Sequence, residues 1–207
     1  MNRPLLTIAI PTYNGSKTIK DLLYSISCQV DNRVEVMVIN NCSTDNTLEI
    51  VESYSDKLPN LSIINQKFNV GPDANFLDCF KKAKGKYVHL ISDDDVYIEN
   101  SLGKILTVLS GKDNIALAYL QTVGFYGKYT GEKSCDSKEW NSKIKSLVTN
   151  DKKLFMKEAA HYWGFVSSFI CLTDNFKSMP NPEQYFRTYW LQSYIHAYCD
   201  KDNNAIL

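Results

Sequence analysis

The segment LLTIAIPTYNGSKTIKDLLYSI, residues 5–26, sets the reading of the whole chain. Its first six residues are almost wholly aliphatic and end in a polar turn carrying Pro11 and Asn14-Gly15. A short, near-continuous apolar run of this kind reads as a strand buried on both faces. After the turn, Ile19, Leu22, Leu23 and Ile26 recur at i, i+3, i+4 and i+7, the stripe of an amphipathic helix. The segment is one strand–helix unit.

The same beat returns on the C-terminal side. Apolar runs begin at Leu5 (LLTIAI), Val34 (VEVMVI), Leu61 (LSII), Lys86 (KYVHLI) and Ile115 (IALAYL), spaced 25 to 29 residues apart. Helical stripes fall between them at Leu48, Val51 and Tyr54, at Phe76, Leu77 and Phe80, and at Leu102, Ile105, Leu106 and Leu109. Strands alternating with helices predict an α/β fold, a Rossmann-like, mostly parallel sheet flanked by helices. After residue 121 the beat fails. Gly124, Gly127 and Gly131 among Phe125, Tyr126 and Tyr129 predict a turn-rich or hairpin stretch, and Ser134–Asn150 a polar loop. A helix is expected over Asp151–His161, an apolar run over Gly164–Leu172, and a further helix near Glu183–Tyr198. This second part holds 16 of the 25 aromatic residues, enough for an aromatic core, a wall of rings that stacks a sugar, or both. The chain therefore divides into residues 1–120 and a smaller, aromatic-rich part, residues 121–207, within one continuous domain.

Composition narrows the function. Lys+Arg and Asp+Glu balance at 23 each, and only Arg3, Arg33 and Arg187 are arginines. A nucleic-acid partner is not expected, because no basic field or set of guanidinium forks is present. A polyanionic ligand would have to be met by backbone amides or a metal ion. The cysteines Cys28, Cys42, Cys79, Cys135, Cys171 and Cys199 show no C-x-x-C spacing, which speaks against zinc and disulfides and for a reducing compartment. The first apolar run is too short for a signal peptide, and no run of 18 apolar residues occurs. A cytoplasmic protein with no transmembrane segment is expected.

In open α/β sheets ligands bind beyond the carboxyl ends of the strands. Those positions hold Pro11-Thr12-Tyr13-Asn14-Gly15, Asn40-Asn41-Cys42-Ser43-Thr44-Asp45-Asn46-Thr47, Asn69-Val70-Gly71-Pro72-Asp73-Ala74-Asn75 and Ser92-Asp93-Asp94-Asp95. Taken singly, Asn14-Gly15 reads as a turn, Ser43 or Thr44 as a helix cap and Gly71-Pro72 as a helix start. The aspartate triplet is different. Adjacent carboxylates at a strand mouth repel one another, and a helix cap needs only one of them. Hard oxygen ligands on a loop suit Mg²⁺ or Mn²⁺, with open positions left for phosphate oxygens.

These four segments, in this order and spacing, resemble the family 2 glycosyltransferases of the GT-A fold. The resemblance covers about residues 5–120. Within it, Asn40–Thr47 and Leu90–Val96 are most similar to the abequosyltransferase-like branch that builds bacterial surface polysaccharides. The resemblance implies an inverting, metal-dependent transfer of a sugar from a nucleoside-diphosphate sugar to a polysaccharide or lipid-linked glycan acceptor. It implies that Pro11, Thr12 and Tyr13 border the nucleotide, that Asn41 contacts the base, and that Asn69, Gly71 and Asn75 lie near the nucleotide or diphosphate. Asp93 would sit by the ribose. Asp94 would be the principal metal ligand and Asp95 a helper, in the Asp-x-Asp pattern. The protein would work at the inner face of the membrane or free of it.

Two departures from the family pattern bear on detail. Many relatives carry Asp-Asp at Asn40-Asn41. An aspartate only accepts, matching the N3–H of uracil or thymine, whereas an asparagine also donates and can serve cytosine. UDP remains favoured. The family's Glu-Asp base pair is also missing between residues 121 and 207. Among Glu183, Asp174, His161 and His196, the preferred base is Glu183; His89 reads as a core histidine. Relatives usually continue into further helices, so this chain is expected to be a piece of a longer protein, a compact member or one with a partner. The alternative function is a nucleotide-sugar-binding domain without transferase activity. Sugar-phosphate nucleotidyltransferases and dinucleotide-binding proteins are set aside, because neither their Gly-rich phosphate loop nor G-x-G-x-x-G follows the first strand.

Overall fold

A computed structural model describes residues 3–29, 31–111, 115–120, 122, 124, 148–149, 151–159, 165–188, 191–199 and 205–206. Strand β1 (Leu6–Thr12) lies inside the sheet with all seven residues buried. Helix α1 (Ile19–Ser27) follows, then β2 (Val34–Asn40), α2 (Thr47–Glu52), β3 (Leu61–Asn65), α3 (Pro72–Lys82), β4 (Tyr87–Leu90) and α4 (Ser101–Gly111). The later elements are β5 (Leu117–Tyr119), β6 (Val148–Thr149), α5 (Lys152–Ala159), a 3₁₀ turn (Val166–Ser168), β7 (Phe169–Leu172) and α6 (Thr173–Lys177). A second 3₁₀ turn (Pro182–Tyr185), α7 (Leu191–Cys199) and β8 (Ala205–Ile206) complete the order.

The strands run β3-β2-β1-β4-β7-β5-β8-β6. β3, β2, β1 and β4 are mutually parallel, with Leu6 opposite Val34 on one side and Tyr87 on the other. The sheet as a whole is mixed, with helices on both faces. One face packs Leu6, Ile8 and Ile10 against the α1 stripe Ile19, Leu22, Leu23 and Ile26 and against Leu102, Leu106 and Leu109 of α4. The other packs Ala9, Met37 and Ile39 against Leu77 and Phe80 of α3 and against Phe155, Phe169, Phe176, Leu191 and Ile195. The alternation along each strand feeds both layers.

The structure departs from expectation in three places. The run at Ile115 gives only a three-residue strand, and it does not extend the parallel order. Instead β7 enters between β4 and β5 and pairs antiparallel with both, so strands from both parts of the chain share one sheet. The helix expected over Glu183–Tyr198 is broken into a 3₁₀ turn and α7. Arg187 adopts a positive φ of 63°, a conformation no right-handed helix can pass through. Within the polar stretch Ser134–Asn150, Val148–Thr149 forms a strand beside β8, and residues 125–147 lie outside the described ones.

At the amino edge of the sheet a buried carboxylate holds three elements together. Glu35 accepts from the Thr7 hydroxyl at 2.6 Å and from the Lys84 amide at 3.1 Å, while Thr7 accepts from the Gly85 amide at 2.8 Å. Gly85 has no room for a side chain. A Cβ there would lie 2.6 Å from the Thr7 nitrogen, 2.7 Å from the Tyr87 oxygen and 2.8 Å from the Leu6 carbonyl carbon. Gly85→Ala is therefore expected to destabilise the protein by roughly 1–3 kcal/mol, as overpacking against backbone does. Urea unfolding checks this, and an unchanged midpoint would show that the edge yields.

Candidate active site

The carboxyl ends of β1, β2 and β4 bring the polar loops together. The register that sets Ala9 beside Leu90 carries on past the strand ends, and the Thr12 hydroxyl donates to Asp93 Oδ2. Gly15 closes over this bond. A Cβ on it would fall 2.2 Å from Asp93 Oδ2 and 2.6 Å from Thr12 Oγ1, so a side chain there would have to displace this pair.

The loops after β1 and β2 are laced to each other. Asn14 donates its amide N–H to Ser43 Oγ at 2.9 Å and accepts at Oδ1 from the Thr44 amide at 2.8 Å. Asn14 and Cys42 take positive φ of 54° and 63° to make these turns. Asp45 accepts from the Ser16 amide at 3.2 Å, the Thr47 amide at 3.1 Å and the Thr47 hydroxyl. Burial raises the Asp45 pKa, but the hydrogen bonds from Ser16 and Thr47 outweigh it and bring the carboxyl from 3.8 down to about 2.

Asn41 is buried and ties β1 to the loop before α3. Its backbone N–H donates to the Thr12 carbonyl at 2.8 Å. Its Nδ2 donates to Asn69 Oδ1 at 3.0 Å and to the Gly71 carbonyl at 3.3 Å, and its Oδ1 accepts from the Val70 amide at 2.9 Å. Because a backbone N–H can only donate, the atom facing Val70 must be the oxygen. Gly71 itself has φ 84° and precedes the Pro72 that opens α3. Asn75, in the first turns of α3, donates to the Ile39 carbonyl at 3.1 Å, while its buried Oδ1 meets no partner among the described residues. Pro11 is buried in β1; Tyr13 and Phe68 stand exposed on the loops after β1 and β3.

The aspartates do not form a closed cage. Asp93 is held by Thr12, Asp94 accepts from Ser92 Oγ at 2.5 Å, and Asp95 accepts from Ser167 Oγ at 2.5 Å. Among the described residues no group of three acidic, histidine or cysteine side chains converges on one point. Burial pushes the carboxyls of Asp93 and Asp95 above the ordinary range, against the hydrogen bonds from Thr12 and Ser167 and with help from the charge of Asp94. Asp94 is the exposed member. This donor set fits a hard cation held by one or two carboxylates and completed by ligand oxygens.

Glu183 is not brought to this cluster. It is exposed and paired with Lys81 at 2.5 Å, and the Lys81 contact holds its carboxyl below the ordinary range. Lys81 lies in the last turn of α3 and Asp73 in the first, about 12 Å apart along the axis. Glu183 thus sits at the end of α3 away from the Asn69–Gly71 loop. Asp174 is farther still. It pairs with Arg3 at 3.0 Å, and Arg3 also donates to the Lys84 and Gly85 carbonyls at the amino edge of the sheet. His89 is the core histidine expected, 2% exposed. The side chains of His161 and His196 lie outside the described residues. Gly15, Asp45, Ser92 and Ser167 belong to the site and were not singled out from sequence. Gly15, Asp45 and Ser92 lie inside the quoted loops, whereas Ser167 is 72 residues from its partner and carries no local signal.

The sequence profile of glycosyl transferase family 2 matches residues 7–170. The chain belongs to that family. It is 30% identical over 156 residues to the abequosyltransferase RfbV of Salmonella typhimurium, covering 73% of this chain and 44% of that protein. A crystal structure of Staphylococcus aureus TarS 1–349 in complex with UDP-GlcNAc superposes with a TM-score of 0.71 at 22% identity, over 97% of this chain and 55% of that one. Glucosyl-3-phosphoglycerate synthase of Mycobacterium tuberculosis, in complex with Mn²⁺, UDP and glucosyl-3-phosphoglycerate, superposes with a TM-score of 0.55 at 16% identity, over 86% and 60%. The fold is GT-A. The chain spans only about a third to less than a half of the length of the first curated relatives it matches. No helix among the described residues is long and apolar enough to cross a membrane.

One stability test follows from Asp45. Its folded-state carboxyl is depressed, so its contribution is fully present above an ordinary pKa of 3.8 and is lost as pH falls through about 2. Asp45→Ala should cost roughly 0.5–2 kcal/mol at neutral pH, the range for losing a turn or cap acceptor. The gap between variant and parent should narrow between about pH 4 and pH 2. A gap that stays constant across that interval in chemical denaturation would contradict the assignment.

Proposed function

We propose that this chain is the donor-binding and catalytic part of an inverting glycosyltransferase that moves a sugar from a nucleoside-diphosphate sugar, UDP-linked by preference. The acceptor is a polysaccharide or lipid-linked glycan, at the inner face of the membrane or in the cytoplasm. The observation that carries this is the meeting of Thr12, the Asn41–Asn69–Gly71 cluster and the loop of Asp93, Asp94 and Asp95 at the carboxyl edge of the parallel strands. The solved neighbours in complex with UDP or UDP-GlcNAc support the choice of uridine.

The hydrogen bonds of Asn41 support it independently. Both of its N–H donors are occupied by Asn69 and Gly71, and one oxygen lone pair by Val70. What remains is an acceptor. Asn41 therefore presents to a base what an aspartate would, which suits the N3–H of uracil or thymine and not the bare N3 of cytosine. Pro11, Thr12 and Tyr13 border the base in this reading, Asn69, Gly71 and Asn75 lie along the nucleotide, and Asp93, fixed by Thr12, faces the ribose.

Asp94 would hold a divalent cation, Mn²⁺ or Mg²⁺, with Asp95 supporting it. When bound, the cation neutralises charge that develops on the departing diphosphate. The acceptor hydroxyl attacks the anomeric carbon from the face opposite the diphosphate, and a general base takes its proton. Neither Glu183 nor Asp174 is assigned that role, since both are ion-paired away from the aspartate loop. That same observation favours a second reading, a nucleotide-sugar-binding part that needs a further segment or a partner for transfer. Donor hydrolysis or transfer by this chain alone would exclude it.

Thermal unfolding with UDP, dTDP, CDP and GDP, each with and without Mn²⁺, tests the proposal. A ligand at about 100 times its dissociation constant adds roughly 2.7 kcal/mol. For a chain of this size that is about 5–10 °C. UDP with Mn²⁺ should give the full shift and CDP little. Asp94→Ala should abolish the metal-dependent part at an unchanged ligand-free midpoint, because an exposed loop carboxylate contributes little to stability. Equal shifts with and without metal, or a variant that responds like its parent, would sink the metal assignment.

A further inference from the structure

Two buried polar side chains bracket the aspartate loop and have no part in the mechanism above. His89 in β4 and Tyr97 beyond the loop stand either side of Leu90–Val96, which contains Asp93, Asp94 and Asp95. His89 Nδ1 and the Tyr97 hydroxyl hydrogen-bond across the neck of the loop, with their rings edge to face and centroids 5.6 Å apart. On its other side His89 Nε2 lies 2.9 Å from the Ser167 carbonyl. A carbonyl can only accept, so Nε2 carries the proton, Nδ1 is bare, and Tyr97 donates to it. Burial pulls the His89 pKa down to about 4, outweighing the opposite effect of the Ser167 carbonyl, so this neutral tautomer is kept near neutral pH.

The chain of contacts continues both ways. Ser167 Oγ accepts from the Ser92 amide at 2.9 Å and donates to Asp95 Oδ2 at 2.5 Å, which grips the loop at two points. The Tyr97 amide donates to Ser25 Oγ in α1 at 3.1 Å, and Ser25 donates to the Leu22 carbonyl at 2.8 Å. The loop is thus tied to a helix on one side and to the 3₁₀ turn before β7 on the other. Three adjacent carboxylates would drive an untied loop open. Nor does the core require polar groups here, since apolar residues of the same volume could pack at these positions without any hydrogen bonds to satisfy.

We infer that His89, Tyr97 and Ser167 are positioning residues that hold the aspartate loop in its cation-binding shape before the donor arrives. Ser167 acts directly on Asp95 and Ser92; His89 and Tyr97 act through Ser167 and through the neck of the loop. The inference rests on the donor-site reading above.

The test compares Ser167→Ala, Ser167→Thr and Tyr97→Phe with the parent. Mn²⁺ binding in the presence of UDP is read by electron paramagnetic resonance, and exchange of the Ser92 amide by hydrogen exchange without ligand. Ser167→Ala should weaken Mn²⁺ binding roughly 10-fold or more, the range for losing an outer partner of a metal ligand, and speed exchange at Ser92. Ser167→Thr, which keeps the hydroxyl, should preserve both, and Tyr97→Phe should weaken Mn²⁺ binding less than Ser167→Ala does. If Ser167→Ala binds Mn²⁺ like the parent, or Ser167→Thr is as impaired as Ser167→Ala, the inference falls and the donor site stands. If the parent binds no Mn²⁺ with UDP or any other nucleoside diphosphate, the donor-site reading falls and takes the inference with it.

Discussion

The double parallel pairing of β1 is the constraint from which the site follows. Its seven buried residues are bonded to β2 on one side and β4 on the other, with Thr12 opposite Asn40 and Ala9 opposite Leu90. A slip of one residue would exchange the two faces of the strand and put Thr7 where Leu6 and Ile8 pack, so the register is strongly held. With that register, Thr12 ends level with Asp93 and within reach of the Asn41 amide. The polar loops meet because the parallel strands deliver them to the same edge of the sheet.

Charge is segregated along the same axis. At the amino edge the ionic groups are paired: Arg3 with Asp174 and Lys84 with Glu35, while Lys81 takes Glu183 at the far end of α3. At the carboxyl edge the aspartates meet hydroxyls and amides instead of cations. Asp93, Asp94 and Asp95 each accept a hydrogen bond at one oxygen, from Thr12, Ser92 and Ser167 respectively. That carboxylate-rich edge is the one to which the proposed function assigns a divalent cation and a diphosphate.

The legible part of the fold was that written in local periodicity. The stripes Ile19–Ile26 and Leu102–Leu109 became α1 and α4 with their apolar residues in the core, and the first four apolar runs became the parallel strands. The position of β7 was not legible, since a four-residue run does not say which neighbour it pairs with or in which direction. Nor was the interruption near Arg187, whose positive φ accompanies an amide bond to Asp73 more than a hundred residues away. Glu183 looked eligible as a base only while its pairing with Lys81 was unknown.

By itself the sequence determined the order of strands and helices as far as α4, the presence of an acidic loop after the fourth strand and the polar character of the loops at that edge. These are properties of residue type and spacing within a dozen positions, where strand and helix periods act directly. Only the tertiary structure decided that Asn41 retains an accepting lone pair, that Gly15 lies against the Thr12–Asp93 hydrogen bond, and that Ser167 bonds to both Asp95 and His89. Those facts depend on hydrogen bonds between segments up to 81 residues apart. Hydrogen bonds are short and directional, so their partners follow from the packing that brings distant segments into contact.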